Sequence, residues 1–206
     1  MKNFDVLIIG GGAAGLSCAL ILGSAKNKPF TVNKKIGILT HQKSSALQNA
    51  ELSNVLGFKE GTKGITILDE GLNQLSSLYP HITQIEKEKV NKIEGYAPNF
   101  TVYTNKEVYK AKLIVVAVGP SNLFNIKGLE QFVTLHPSLP PKKERIMLKN
   151  RNHLVINGIY VAGVLAGWRS QFAIAAGSGA QVATDILTAW NNGNQTMVHD
   201  SVSLRI

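Results

Sequence analysis

Short unbroken apolar runs alternate with stretches of helical spacing along this chain. Val6 to Ile9 is an apolar, mostly β-branched run, which predicts a central parallel strand buried on both faces. From Ala13 to about Ala25 the sequence is rich in Ala and Leu and reads as a helix. Ile36 to His41 reads as the second parallel strand, and polar residues 42–54 as an irregular segment. Ile65, Leu68, Leu72, Leu75 and Leu78 fall at helical spacing over residues 64–79, and Pro80 closes that helix. Lys89 to Ile93 reads as a third parallel strand. Phe100 to Thr104 and Val108 to Ala111 read as a short antiparallel pair around Asn105-Lys106. Leu113 to Val118 is a further buried strand that stops at Gly119-Pro120. Residues 120–157 hold four prolines and little periodicity, so they read as a connector with room for one hairpin. Ile159 to Ala162 is the last strand and Phe172 to about Trp190 the last helix, followed by a polar surface tail. Strands alternating with helices in this order predict an α/β fold.

Two glycine-rich signatures punctuate these elements. The first runs from the strand into Gly10-x-Gly12-x-x-Gly15 and then the helix. Gly10 permits a tight turn, Gly12 lets a pyrophosphate approach the backbone, and Gly15 lets the helix pack close to the sheet. The amides of Ala13 and Ala14 open that helix, whose positive end favours phosphate. A strand before and a helix after make the motif a dinucleotide cradle; a glycine turn that only packs a helix on a sheet is the alternative. The second signature is Gly158-Ile-Tyr-Val-Ala-Gly163, followed by Gln171-Phe-Ala-Ile-Ala-Ala-Gly-Ser-Gly.

Composition narrows the class. With 206 residues, 44% of them hydrophobic, the chain can bury one well-packed domain. No signal peptide or bilayer-crossing run is visible, so the expectation is a cytoplasmic protein with no membrane partner. The single cysteine, Cys18, excludes an intrachain disulfide and a C-x-x-C pair, and its place on the first helix reads as core packing. The formal net charge of +9 gathers partly in residues 26–35 and 142–151. It reads either as a solvated surface or as steering toward an acidic partner or anionic substrate. Interleaved aromatics are missing there, so no nucleic-acid partner is expected. The five histidines show no metal spacing, and no metal is expected. Trp168, Phe172 and Trp190 read as core packing, with a cofactor wall or a dimer contact as the other options.

Four segments, taken together and in order, resemble the FAD-binding half of the two-dinucleotide-binding-domain flavoproteins, the pyridine nucleotide-disulphide oxidoreductases. They are similar above all to the low-molecular-weight thioredoxin-reductase-like group. The segments are Gly10-x-Gly12-x-x-Gly15, Asn54-Val-Leu-Gly57, Val116-Ala-Val-Gly119, and Gly158 to Gly163 with the following helix. The resemblance implies FAD and a Rossmann-like FAD-binding fold: a central parallel sheet, helices on one side and a small antiparallel β meander. It implies a single domain over residues 1–206, with 120–157 a connector in place of the nicotinamide-binding domain. It also implies the cofactor contacts. The pyrophosphate falls to Gly10, Gly12 and Gly15, with Ala13 and Ala14. The adenine falls to the backbone of Lys89 and Val90, and the adenosine side to Gly119. The flavin falls to Asn54 with Gln48 and Asn49, and to Gln171 and Phe172 at the start of the last helix.

Three departures carry further expectations. The family's ribityl-holding Gly-Asp is Gly163-Val164 here, which removes a charge-assisted hydrogen bond of roughly 1.5–3 kcal/mol. The acidic residue at the end of the second strand is replaced by Thr40-His41, whose side chains could bond ribose hydroxyls, although His41 reads first as a simple loop histidine. No second G-x-G-x-x-G and no C-x-x-C exist, so a complete thioredoxin reductase is not expected. The leading reading is an FAD-dependent oxidoreductase fed by an external small-molecule or protein donor, an acidic carrier being one option. No acid or base side chain stands out, and the catalytic residues are unassigned. The rivals are a non-catalytic FAD-binding module or subunit, and an NAD(P)-binding protein without flavin. A homodimer is an open option.

Overall fold

The computed structural model describes residues 1–41 and 45–199. Strand β1, Lys2–Ile9, leads through the glycine turn into helix α1, Ala13–Ser24. Strand β2, Ile36–Thr40, pairs parallel to β1. A two-residue pair follows, β3 at Glu51–Leu52 with β4 at Thr62–Lys63, and then helix α2, Gly64–Leu78. Strand β5, Ile82–Glu86, pairs parallel to β2. Strands β6, Val90–Glu94, β7, Phe100–Thr104, and β8, Val108–Val116, make an antiparallel meander. The hairpin β9, Val133–Leu135, and β10, Ile146–Leu148, fills the connector. Strands β11, Leu154–Ile156, and β12, Ile159–Val161, precede helix α3, Phe172–Trp190.

The main sheet has the order β11-β12-β8-β1-β2-β5, and β12, β8, β1, β2 and β5 are mutually parallel. Alternation along β1 divides the core. Val6 and Ile8 face α1, α2 and α3, with Cys18, Leu22, Leu68, Leu75 and Ile186. Leu7 and Ile9 face the meander and hairpin, with Phe100, Val102, Leu129 and Leu148. All three helices therefore cover one face, and the antiparallel strands cover the other. This is the α/β arrangement the sequence predicts.

Two strand assignments are corrected. The third parallel strand is β5, and Val90–Glu94 runs antiparallel to β7 instead. β5 lies at the sheet edge and carries polar Thr83, Gln84 and Glu86, so it lacks the continuous apolar run of a central strand. The two strands expected at 108–111 and 113–118 are one nine-residue strand, β8. Its first half alternates, as the meander requires, while Ile114 to Val116 are wholly buried between the two layers.

Candidate functional site

The ends of β1 and β8 meet at the first glycine turn, and the three glycines there have different physical causes. Gly10 has φ +116°, and a Cβ on it would lie 2.4 Å from the Ala117 carbonyl oxygen. A Cβ on Gly15 would lie 1.8 Å from the Gly10 carbonyl oxygen. Both positions are therefore forced by the protein's own packing. Gly12 is not. It has an ordinary extended conformation at the N-cap of α1, and a Cβ there would meet only the Ser45 hydroxyl, at 3.7 Å, among the described residues. Packing leaves open the one position where a dinucleotide needs the backbone bare. No side chain caps α1 and no acidic residue occupies its first turn, so its amide end is available to an anion.

The second signature is brought against the first by Ala14. A Cβ on Gly163 would approach the Ala14 side chain at 3.0 Å, and one on Gly179 would lie 1.9 Å from the Ala14 carbonyl oxygen. Gly163, at φ +75°, donates its amide to the Ser178 hydroxyl at 2.7 Å. The N-cap of α3 is Gln171, in extended conformation and with no side-chain cap hydrogen bond. Phe172, in the first turn, packs edge-on against Phe58 at 5.3 Å between ring centroids. A cavity of about 210 Å³ opens here between α1, α2 and α3, walled by Leu16, Leu20, Leu47, Phe58 and Phe172. Gly119, at φ +82°, follows β8 with nothing near its Cβ position. The fold thus gathers Gly10, Gly12, Ala13, Ala14, Gly15, Gly163 and Val164 at one place, with Phe172 beside Ala13 on the cavity wall.

Other expected contacts are not gathered. Thr40 is buried and its hydroxyl donates to the Ile85 carbonyl at 3.5 Å. His41 is exposed at the strand end. Lys89 and Val90, expected against the adenine, lie at the start of β6. The Lys89 amide donates to Asn105 Oδ1 at 2.8 Å, its carbonyl accepts from the Asn105 amide at 2.9 Å, and Val90 lies in the core. Asn105 closes the meander there. Gln48 and Asn49 belong to a 3-10 turn, Ala46–Asn49, and Asn54 is exposed beyond β3.

Sequence reasoning missed a second layer of polar residues. Ser45 lies over Gly12 and also accepts from the Leu47 amide at 3.3 Å, capping the 3-10 turn. His136 and Val164 are joined by a 3.0 Å contact between Nε2 and the carbonyl oxygen. The Ser138 amide donates to His136 Nδ1 at 3.1 Å, which assigns the proton to Nε2. His153 Nδ1 lies 3.0 Å from the Val161 carbonyl oxygen and 3.5 Å from the Ser178 hydroxyl, and Trp168 stacks over the His153 ring. Asn150 Nδ2 donates to the Ala166 carbonyl at 3.1 Å. A Ser in the polar loop was the one signal visible beforehand, since Ser before a turn is a common cap. Cys18 is buried, and burial pushes its thiol far above the ordinary range, so it stays a protonated core residue. Among the described residues no helix is long and apolar enough to cross a membrane.

With this geometry in view, residues 4–184 match the family model for the pyridine nucleotide-disulphide oxidoreductases. Among curated proteins, a thioredoxin reductase of Mycolicibacterium smegmatis is 23% identical over 155 residues, covering 75% of this chain and 47% of the relative. A ferredoxin--NADP reductase of Streptococcus agalactiae serotype III is 26% identical over 152 residues, covering 65% of this chain and 46% of the relative. The chain spans about half the length of the curated relatives it matches. Among solved structures, a thioredoxin reductase from Gloeobacter violaceus aligns with TM-score 0.75 at 14% identity, covering 98% of this chain and 100% of that one. A ferredoxin-flavin thioredoxin reductase from Clostridium acetobutylicum aligns with TM-score 0.67 at 18% identity, covering 93% of this chain and 98% of that one. These structural matches establish the shared fold.

Proposed function

The chain belongs to the pyridine nucleotide-disulphide oxidoreductase family, whose cofactor is FAD, and on that premise we propose a compact oxidoreductase whose electrons come from an external donor. The observation that carries this reading is the contrast at the glycine turn: Gly10 and Gly15 are filled by the protein, while among the described residues Gly12 is left bare. That contrast fits a pyrophosphate on the Gly12 backbone and the first amides of α1, with the Ser45 hydroxyl as a further donor. Gly163 and Val164 would lie along the ribityl chain. The uncapped start of α3, at Gln171 and Phe172, would face the pyrimidine side of the ring. The adenosine would lie beyond β2 and β5, toward His41 and Glu86, with Lys89 and Val90 as its backbone contacts.

FAD, when bound, supplies the electron-accepting and electron-donating chemistry. The chain's own residues bind, orient and shield it. Phe58 and Phe172 exclude water from the α3 side, and the connector hairpin braces the Gly163 turn through His136. No dithiol is available to pass electrons on, because Cys18 is the single cysteine and is buried. A second G-x-G-x-x-G is likewise missing. The donor we propose is a transiently bound reduced nicotinamide or an acidic electron-carrier protein. The names of the relatives, which mention ferredoxin and NADP, support testing both.

The test is the visible spectrum of the purified protein, followed by anaerobic addition of NADH, NADPH and a reduced ferredoxin. Flavin bands that bleach with one of these donors are expected. A yellow protein that none of the three reduces would favour the non-catalytic module, which the same lack of a dithiol supports. A colourless protein that takes up no FAD would end both readings.

A further inference from the structure

The end of the molecule opposite the glycine turns collects much of the positive charge. Lys2 opens β1, Lys110 and Lys112 lie in the first half of β8, and Lys34 and Lys35 immediately precede β2. Lys26 and Lys28 follow α1, which runs back toward this end. Among the described residues, the carboxylate paired with this group is Asp5, taken by Lys112 at 2.9 Å and by the Lys35 amide at 2.8 Å. Glu94, level with Lys110 across β7, is paired with Lys92 instead. Glu88 is buried against Tyr109 and Thr104.

Helix ends explain part of this clustering. Lys26 Nζ donates to the Leu78 carbonyl at 3.4 Å, where it answers the negative end of α2. Lys34 lies over the Trp190 ring at 5.2 Å, beside the end of α3. Lys2, Lys28 and Lys35 are exposed and complement no helix end in this way. The same end carries apolar side chains that stand more than half in solvent: Met1 at 76%, Val32 at 58% and Leu78 at 51%. They come from three separate places, the start of the chain, the turn before β2 and the end of α2. Single apolar side chains set among lysines suit the boundary between headgroups and acyl chains. A folded acidic partner would instead call for a continuous patch of about 800 Å².

We propose that this end is a peripheral docking surface for an anionic lipid bilayer, with the lysines on the headgroups and Met1, Val32 and Leu78 dipping between them. Such contact needs no spanning segment, so it is compatible with there being, among the described residues, no helix long and apolar enough to cross a membrane. It also keeps the glycine turns about 25 Å away, the length of β1, and open to a donor. The inference does not rest on the flavin reading, and its test has no flavin readout.

The test is co-sedimentation of the full chain with phosphatidylcholine vesicles, with and without about 30% phosphatidylglycerol, at several salt concentrations. Partition onto the anionic vesicles is expected to exceed that onto neutral ones by about tenfold or more and to fall as salt rises. The variant Lys2→Glu/Lys28→Glu/Lys35→Glu should lose this binding. The variant Val32→Ser/Leu78→Ser should weaken it several-fold. Both should keep the wild-type circular dichroism and thermal midpoint. Equal partition onto neutral vesicles, wild-type binding by the triple variant, or equally tight binding to duplex DNA at the same salt would each overturn the proposal.

Discussion

His136 donates from Nε2 to the Val164 carbonyl oxygen at 3.0 Å, tying the connector hairpin to the Gly163–Val164 turn. The imidazole is 6% exposed, and Nδ1 is held by the Ser138 amide. Removing the ring leaves a buried carbonyl and amide without these partners, at about 1–3 kcal/mol. His136→Ala is expected to lower the thermal midpoint by several degrees. It should also speed FAD release, read as the rate of flavin transfer to an excess of apo-flavodoxin. An unchanged release rate beside a lowered midpoint would confine His136 to the hairpin.

The glycines separate into two groups under alanine substitution. Gly15→Ala and Gly179→Ala each set a Cβ inside 2 Å of a backbone oxygen, so a helix must shift. Overpacking of this kind costs about 1–3 kcal/mol or more. Among the described residues Gly12→Ala meets only the Ser45 hydroxyl at contact distance, and it should leave the apoprotein's urea midpoint nearly unchanged. Equal losses at all three positions would contradict this division.

Asp5 should govern part of the acid response. Burial raises its acidity constant's pKa, but the Lys35 amide and then Lys112 outweigh that and hold the carboxyl below its ordinary range. A carboxylate with a depressed pKa in the fold contributes stability that is complete above the unfolded value and is lost as pH falls through the folded one. Urea midpoints should therefore fall below about pH 4, and Asp5→Asn should flatten that fall while lowering stability at neutral pH. A variant whose acid limb retains the wild-type slope would remove Asp5 from this role.

Cys18 should behave as hydrocarbon. Its thiol is buried, and burial keeps it protonated. A maleimide reagent should label it in concentrated urea but not in the native protein, and Cys18→Ala should keep the rate of flavin reduction. Rapid native labelling would show an opening of the α1 layer that the packing does not provide.

Legibility in the sequence followed the reach of local physics. Val6 to Ile9 and the helix after Gly12 could be read directly, because burial on both faces and helix propensity are written in consecutive residues. Phe172–Trp190 was equally plain. β5 escaped because an edge strand needs only Ile82 and Ile85 inward, and that alternation resembles a meander strand. Nothing local shows that the Thr40 hydroxyl reaches Ile85, which is distant in sequence. The motif gives Gly10, Gly12 and Gly15 different roles, and the tertiary approach of Ala117 and the turn's own carbonyl supplies the distances behind two of them. His136, His153 and Ser178 act through partners 8 to 28 residues away, a separation with no periodic signature.

The central claim is a dinucleotide lying on the bare backbone of Gly12 and reaching the start of α3. Calorimetric titration of the apoprotein with FAD, beside Gly12→Val, tests it most directly, since the extended backbone at Gly12 accepts a β-branched residue. One FAD per chain is expected for the wild type, with affinity lost by at least about tenfold in a Gly12→Val protein of normal stability. Unaltered FAD affinity in that variant, or no uptake by the wild type at saturating FAD, would contradict it.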